Sequence, residues 1–444
     1  MSEAVPAGLF QAHLEHVYRR TGAALDRAGF DALLIPSGLP PLQFSDDQPY
    51  PFKANPQFRL WVPEAWPGCF VAFEPGHKPQ LFFHQPVDYW YQPPPVPEAA
   101  WIGQFDVHIV QSPADVRGLL PAGRRRAVLG PAHPDWDGLG DPNPAGLTGE
   151  LDYQRAAKTP YEIECLARAN RLGARAHRAA ERAFRSGASE FEIQLEFCSA
   201  AGAREEELPY NSIIAFGTNA AVLHYQNLGR GRPAAAASFL IDAGVAVGGY
   251  SSDITRSYAA APGQFADLVA ALDVTQQALA DLVVPGRDYA DIHLEAYRKI
   301  AELLVKFELV KVTTEAAVET GLTSVFFPHG IGHLLGLQVH DVGGLMADAA
   351  GRQRPRPTGH PYLRLTRDLA PGFVVTVEPG LYFIEPLLEA AAAGDLGKLI
   401  NWPRVDALRP FGGVRIEDNV VALPAGPRNL TREAFAALEE GSDP

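Results

Sequence analysis

The period of apolar and polar positions changes near residue 155. Before it, short apolar runs such as Asp31–Ile35, Cys69–Phe73, Gln80–His84 and Ala127–Gly130 alternate with PSGLPP, PYPFKANP, WVPEAWPG and YQPPPVPEAAW, which predicts strands bounded by turns. After it, TPYEIECLARANRLGARAHRAAERAFRSG places apolar residues at helical spacing, with Thr159 as N-cap, Pro160 in the first turn and Gly187 as the stop. SEFEIQLEFCSAAGA opens on Ser189 with Glu192 three later, a capping-box pattern. Two more helices are predicted at roughly 264–283 and 288–306. Strand-like runs follow, so the second half reads α then β, twice. His13 and His16, in HLEH, read as residues of a solvated first helix.

Within the second half, four strand candidates each carry one acid among apolar residues. In SFLIDAGVAV, alternation sets Asp242 opposite Phe239, Ile241, Ala243 and Val245. After a Gly248-Gly249 turn, YSSDITRSY puts Ser251, Asp253, Thr255 and Ser257 on one face. In FVVTVEPG, Glu378 shares a face with Thr376, and in GVRIEDNVVAL, Arg415, Glu417 and Asn419 line one face. Taken singly, each acid would be ordinary on the solvated side of an antiparallel sheet. If the strands form one sheet, the acids converge; two carboxylates 4 Å apart repel by about 4 kcal/mol at an effective dielectric near 20, and burial adds to the cost. Four need protons or cations, and two divalent ions would balance them.

The segment between the second and third acid decides the weighing. HGIGHLLGLQVHD, residues 329–341, carries His329, His333 and His340, with glycines at 330, 332 and 336 that oppose a helix and let backbone approach closely. Three histidines among glycines, between acids, point to a metal centre. HExxH, GxSxG, P-loop and GxGxxG patterns are missing.

Composition narrows the class. The 444 residues are 47% hydrophobic and 20% charged, which fits globular domains and excludes a disordered chain or coiled coil. The net charge is −14, and the only short basic run is Arg124–Arg126, so no nucleic-acid partner is expected. Cys69, Cys165 and Cys198 are far apart and form no CxxC. With neither a signal-peptide pattern nor an 18-residue apolar stretch, a cytoplasmic protein without a membrane partner is expected.

Asp242, Asp253 eleven later, HGIGHLLGLQVHD, TVEPG and GGVRIEDN together resemble the dinuclear metallopeptidases of the pita-bread fold. DDQPYPFKANPQFRLWVP and VDYWY are similar to the bacterial Xaa-Pro dipeptidases (prolidases), a group that includes organophosphorus acid anhydrolases. The likeness spans almost the whole chain; Leu334 departs from it, standing where relatives often have Pro.

The resemblance implies an α/β (α+β) chain, with a smaller N-terminal α/β domain of mixed sheet over 1–155 and a pita-bread catalytic domain over 156–444. It implies Asp242, Asp253, His333, Glu378 and Glu417 as metal ligands, with Asp253 and Glu417 bridging two divalent ions. Four oxygen donors and one imidazole favour Mn, with Co or Zn permitted. It implies a bridging hydroxide that attacks the carbonyl before proline, Glu378 as general base or proton shuttle, and His340 and His224 as stabilisers of the oxyanion. His329, Tyr210 and Tyr289 would line the substrate pocket. Arg415 would pair either the proline carboxylate or a metal-bound carboxylate. In homodimers of this group the N-terminal domain of one subunit reaches the other's site, which makes Asp46 and Asp47 candidates for the substrate amine. The implied reaction is metal-dependent cleavage of Xaa-Pro dipeptides; aminopeptidase P action on longer peptides, organophosphorus acid anhydrolase activity and a metal-free binding role are the alternatives.

Overall fold

The computed structural model describes residues 5–441. Two compact units result: residues through Cys165 together with Met346–Arg352, and Leu166–Leu345 together with residues from Gln353 onward.

The first unit opens with a helix, Ala7–Ala28, ended by Gly29 in the left-handed conformation at φ 73°. Its sheet is mixed. β1 (Ala32–Pro36), β2 (Phe70–Phe73), β3 (Gln80–His84), β4 (Asp106–Val110), β5 (Arg126–Val128) and β6 (Asp141–Pro142) stand in the order β4-β3-β2-β1-β5-β6. β1–β2 and β2–β3 are antiparallel, whereas β3–β4, β1–β5 and β5–β6 are parallel. Leu34, Phe70, Phe82, Val128 and Trp136 fill one core cluster.

The first helix is not simply solvated. His13 is buried, with its ring nitrogens 2.8 Å from Thr159 Oγ1 and 2.8 Å from Leu60 O. Burial holds its pKa below the ordinary value despite nearby Glu162. Thr159 and Glu162 exchange capping-box bonds, Thr159 N donating to Glu162 Oε2 at 2.8 Å and Glu162 N to Thr159 Oγ1 at 3.4 Å. The His13–Thr159 contact ties this cap to the first helix within the first unit, which runs through Cys165.

In the second unit the helices arise where the apolar period predicts them: Glu190–Ala201, Gln264–Ala280 and Tyr289–Lys306. Ser189 and Glu192 form the expected capping box. Ala176, Ala180 and Phe184 pack with Ile193, Phe197, Phe239 and Ile241.

The strands do not make one sheet. β7 (Ile213–Phe216), β8 (Ser238–Ala243) and β11 (Ile254–Ala259) form an antiparallel sheet in the order β11-β8-β7, with the β9 (Ala246–Val247) and β10 (Tyr250–Ser251) hairpin between β8 and β11 in sequence. Gly248 and Gly249 both take positive φ, 59° and 90°, as a tight hairpin turn requires. β12 (Val374–Val377), β15 (Asp418–Val421) and β16 (Arg428–Asn429) form a second antiparallel sheet in the order β12-β15-β16, and β13 (Gly380–Tyr382) pairs with β14 (Gly413–Arg415). Isolated bridges Thr255–Glu417 and Leu334–Val375 stitch these pieces together.

Only Asp242 of the four acids therefore lies inside a regular strand; Asp253, Glu378 and Glu417 sit at breaks between strands. One break has a visible cause. A Cβ on Gly244 would collide with the Ser252 carbonyl oxygen, and Val245 N donates to Ser252 Oγ at 3.0 Å, a side chain taking the place of the ladder.

Candidate metal centre

Asp253, His333 and Glu417 are all buried, and one donor atom from each lies within 4.8 Å of the others. Asp253 is fixed through its backbone: its N–H donates to Asn419 Oδ1 at 3.0 Å, and Asn419 Nδ2 donates to its carbonyl at 2.5 Å. Glu417 Oε2 accepts from Thr255 Oγ1 at 2.7 Å. His333 N donates to Thr376 Oγ1 at 3.1 Å.

The imidazole of His333 reveals what the cluster is built to hold. Its Nδ1 lies 3.0 Å from the Leu334 carbonyl, which only accepts, so Nδ1 carries the hydrogen. Nε2 then points at Asp253 Oδ2, 3.4 Å away, and Glu378 Oε1, 3.7 Å away. A bare nitrogen lone pair facing two carboxylates is repulsive unless a proton or cation stands among them. A carbonyl-anchored His with its other nitrogen free is the arrangement that metal-binding histidines adopt.

Asp242 faces the same cavity from β8. Tyr210 Oη bridges it to Asp253, at 2.9 Å from Asp242 Oδ1 and 2.5 Å from Asp253 Oδ1. Arg415, buried, donates from Nη2 to Asp242 Oδ2 at 2.7 Å, from Nη1 to Tyr382 Oη at 2.9 Å and from Nε to Thr255 Oγ1 at 3.2 Å. Of the two roles open to Arg415, pairing with a candidate ligand carboxylate is the one this geometry displays.

Four carboxylates against one guanidinium leave the cavity short of positive charge. Burial, reinforced by Asp253 and Asp242, outweighs His333 and Arg415 and raises Glu378 to about 7. Burial and the charges of Asp253, Glu378 and Asp242 push Glu417 well above the carboxylate range. Burial and Asp253 also raise Asp242 against the pull of Arg415. Asp253 goes the other way: burial raises it, but hydrogen bonding and charge from His333 prevail. His333 in turn rises above its ordinary value because Asp253 and Glu378 overcome burial.

This electrostatic state makes a prediction. In the metal-free cluster, burial and crowded negative charge shift Glu378 and Glu417, and negative charge shifts His333, toward their protonated forms, and a divalent cation must displace the protons they hold. Metal binding at pH 7 should therefore release on the order of one to two protons, and affinity should fall as pH drops below about 7. Calorimetric titration in Pipes and in Tris should give binding heats that differ by the buffers' ionisation enthalpies; identical heats would refute proton release.

The remaining sequence candidates divide. His340 packs edge-on against His333 with ring centroids 4.4 Å apart, and burial followed by His333 lowers its pKa to about 4. His329 reaches Tyr382 Oη at 2.8 Å through Nε2 and the Gly330 carbonyl at 2.8 Å through Nδ1, and burial followed by Arg415 lowers it to about 3. His224 is exposed on the loop after β7, and its charge is among the influences on both His329 and His340. Tyr289 does not line the pocket: it is wholly buried, and its hydroxyl donates to Thr376 O at 2.6 Å. A Cβ on Gly332, where φ is 154°, would strike both that hydroxyl and the Thr376 carbonyl, so Tyr289 buttresses the backbone that carries His333. Asp46 and Asp47 belong to the first unit, exposed in a hairpin closed by the Leu42–Pro49 bridge, where each accepts a hydrogen bond from Gln48.

Three residues that tie the site together received no role from the sequence. Thr255 and Asn419 share predicted polar faces with Asp253 and Glu417, so their alternation was a usable signal. Tyr382, in the apolar run GLYFI, gave none, yet its hydroxyl accepts from Arg415 and contacts His329.

Comparison with known proteins gives the family. Residues 8–153 match the family described as Xaa-Pro dipeptidase, N-terminal domain, and residues 164–423 match metallopeptidase family M24. Proteins named Xaa-Pro dipeptidase from Stenotrophomonas maltophilia and Aeromonas hydrophila are each 48% identical, over 97% and 96% of this chain and 98% of their own lengths. The structure of aminopeptidase PepP from Pseudomonas aeruginosa superposes with a TM-score of 0.72 at 24% identity, covering 98% of this chain and 99% of that one. Aminopeptidase P from E. coli with the inhibitor Pro-Leu gives 0.72 at 23% identity, covering 99% of this chain and all of that one. These two likenesses establish the pita-bread fold.

Proposed function

The chain belongs to metallopeptidase family M24 and hydrolyses Xaa-Pro dipeptides in a metal-dependent reaction, and we propose that Asp242, Asp253, His333, Glu378 and Glu417 hold two divalent ions for it. The observation that carries this reading is that Nε2 of His333, its Nδ1 anchored on the Leu334 carbonyl, points at Asp253 and Glu378 inside a buried carboxylate cluster. Four oxygen donors with one imidazole favour Mn over Zn as the native metal.

When bound, the ions supply Lewis acidity and make water nucleophilic at neutral pH. Glu378 accepts the proton of the attacking water and delivers it to the proline nitrogen as the C–N bond breaks. His340 and His224 donate hydrogen bonds to the carbonyl oxygen as negative charge grows on it. Arg415 keeps Asp242 oriented, and Tyr210 spaces Asp242 from Asp253. His329, its ring fixed between Gly330 and Tyr382, borders the substrate.

The proposal extends to a homodimer acting in the cytoplasm. The first unit exposes Phe44, Val87, Tyr89, Trp90 and Tyr91, each more than 60% accessible, an apolar surface suited to a second copy. Asp46 and Asp47 would then meet the substrate amine from the partner subunit. The three cysteines form no disulfide, as in a reducing compartment.

Near-full-length likeness favours the dipeptidase over the alternatives, because the aminopeptidase P structures share only the fold. Mn-loaded enzyme should release proline from Leu-Pro and Gly-Pro, leave Leu-Leu intact and act on Gly-Pro-Ala at least about a hundredfold more slowly in kcat/KM. Faster cleavage of the tripeptide would indicate an aminopeptidase P, and comparable turnover of a phosphorus–fluorine substrate an anhydrolase.

A further inference from the structure

Outside the metal cluster, the second unit buries a carboxylate with no part in the mechanism above. Glu190, the first residue of helix Glu190–Ala201, is 3% exposed. Its Oε1 accepts from Phe216 N at 2.8 Å and Asn219 Nδ2 at 2.9 Å; its Oε2 accepts from Tyr225 Oη at 2.9 Å and Gly229 N at 2.7 Å. All four donors are neutral, and all belong to one stretch of chain, from the end of β7 to Gly229. That stretch carries His224.

A buried carboxylate is a costly way to cap a loop, since neutral donors repay its desolvation only if they converge with good geometry. Here they do, and they come from both limbs of the loop, so one side chain closes it. Further ties act at the same helix end: Phe191 N donates to Gly229 O at 3.1 Å, and the Arg230 guanidinium lies over the Phe191 ring at 3.8 Å. Tyr225, the immediate neighbour of His224, also packs its ring against the cluster of Ile213, Ala215, Ala220 and Leu240. The residue beside the exposed imidazole is thus pinned at both its ring and its hydroxyl.

We propose that Glu190 is a positioning residue for catalysis, closing the 216–229 loop so that His224 meets the substrate carbonyl oxygen in the transition state. The inference rests on the role given to His224 above. It predicts a defect in turnover more than in binding, because misplacing a transition-state donor by about 1 Å costs rate while ground-state contacts persist.

The test is a set of mutant cycles on the Mn-loaded enzyme with Leu-Pro: Glu190→Gln, Tyr225→Phe, His224→Ala, and each of the first two combined with His224→Ala. Glu190→Gln replaces two acceptor oxygens with one and turns an amide N–H toward existing donors; Tyr225→Phe deletes a single bond. We expect His224→Ala to lower kcat about a hundredfold, Glu190→Gln about tenfold and Tyr225→Phe about threefold, with KM within about twofold of wild type. In the His224→Ala background, the first two changes should each cost less than about twofold. Full persistence of their effects in that background would overturn the positioning role, as would an unchanged kcat for both single variants. If Glu190→Gln does not fold, the Tyr225→Phe cycle decides alone. An unchanged kcat for His224→Ala would defeat the role of His224 itself, and the inference with it, an outcome recognisable from that single variant.

Discussion

Glu417→Gln is expected to lower proline release from Leu-Pro by about ten-thousandfold or more while leaving the protein folded. A candidate bridging carboxylate becomes a neutral amide, and an ion pair that shares it loses both charge and a donor. The folded state should tolerate the change. Glutamine keeps an oxygen for the Thr255 hydroxyl, and the substitution removes one of four crowded carboxylates, the one that burial and its neighbours already drive toward the protonated form. In metal-free protein at pH 8 the variant should be at least as stable as the wild type, because there the wild type must either ionise Glu417 beside Asp253 or hold a proton against the pH. Urea unfolding of both proteins without metal, together with kcat/KM after Mn loading, checks both halves. Activity within tenfold of wild type would remove Glu417 from the site; a folded-state collapse without metal would show that its charge is structural.

Arg415→Met should act in the opposite sense, on stability first. Among the described residues Arg415 supplies the guanidinium that pairs with a cluster carboxylate, and three of its nitrogens are engaged, by Asp242, Tyr382 and Thr255. Removing one partner from a buried ion pair strands the other, at a cost of about 3–5 kcal/mol. In metal-free protein Asp242 would be stranded, so the loss should appear there in full. With Mn loaded, the added positive charge should compensate Asp242, and the loss should shrink by about half or more. Lysine should not rescue, since a point charge cannot make the forked contacts of a guanidinium. Equal losses with and without metal would mean that Asp242 does not face the ions.

Much of this site was legible in the sequence, for reasons that mark where reading from residues stops. Asp242, Asp253, Glu378 and Glu417 stood out because an acid in an apolar run is expensive, and the segment with His329, His333 and His340 because its glycines opposed a helix; the choice of His333 among the three came from the family resemblance. The helices at 264–280 and 289–306 followed from the 3.6-residue period. Alternation could not show that three of the acids fall at breaks rather than in strands. The break before Asp253 goes with a close approach across the hairpin, Gly244 backbone against the Ser252 carbonyl, which alternation along one strand does not encode. The buried His13 escaped for the same reason: its partners Leu60 and Thr159 lie 47 and 146 residues away. Tyr289 looked like a pocket residue by likeness, yet packing behind Gly332 gives it another task. Glu190, between the residues of the predicted capping box, carried no signal of its own; its four loop contacts appear once the chain is folded.

The central claim is that a pair of divalent ions, held by Asp242, Asp253, His333, Glu378 and Glu417, is what cleaves Xaa-Pro dipeptides. Titrating chelator-stripped enzyme with Mn, while following proline release from Leu-Pro and bound metal in the same samples, tests it most directly. The account predicts no turnover before addition and full activity at two ions per chain; turnover that survives stripping, or saturates with less than one ion per chain, would contradict it.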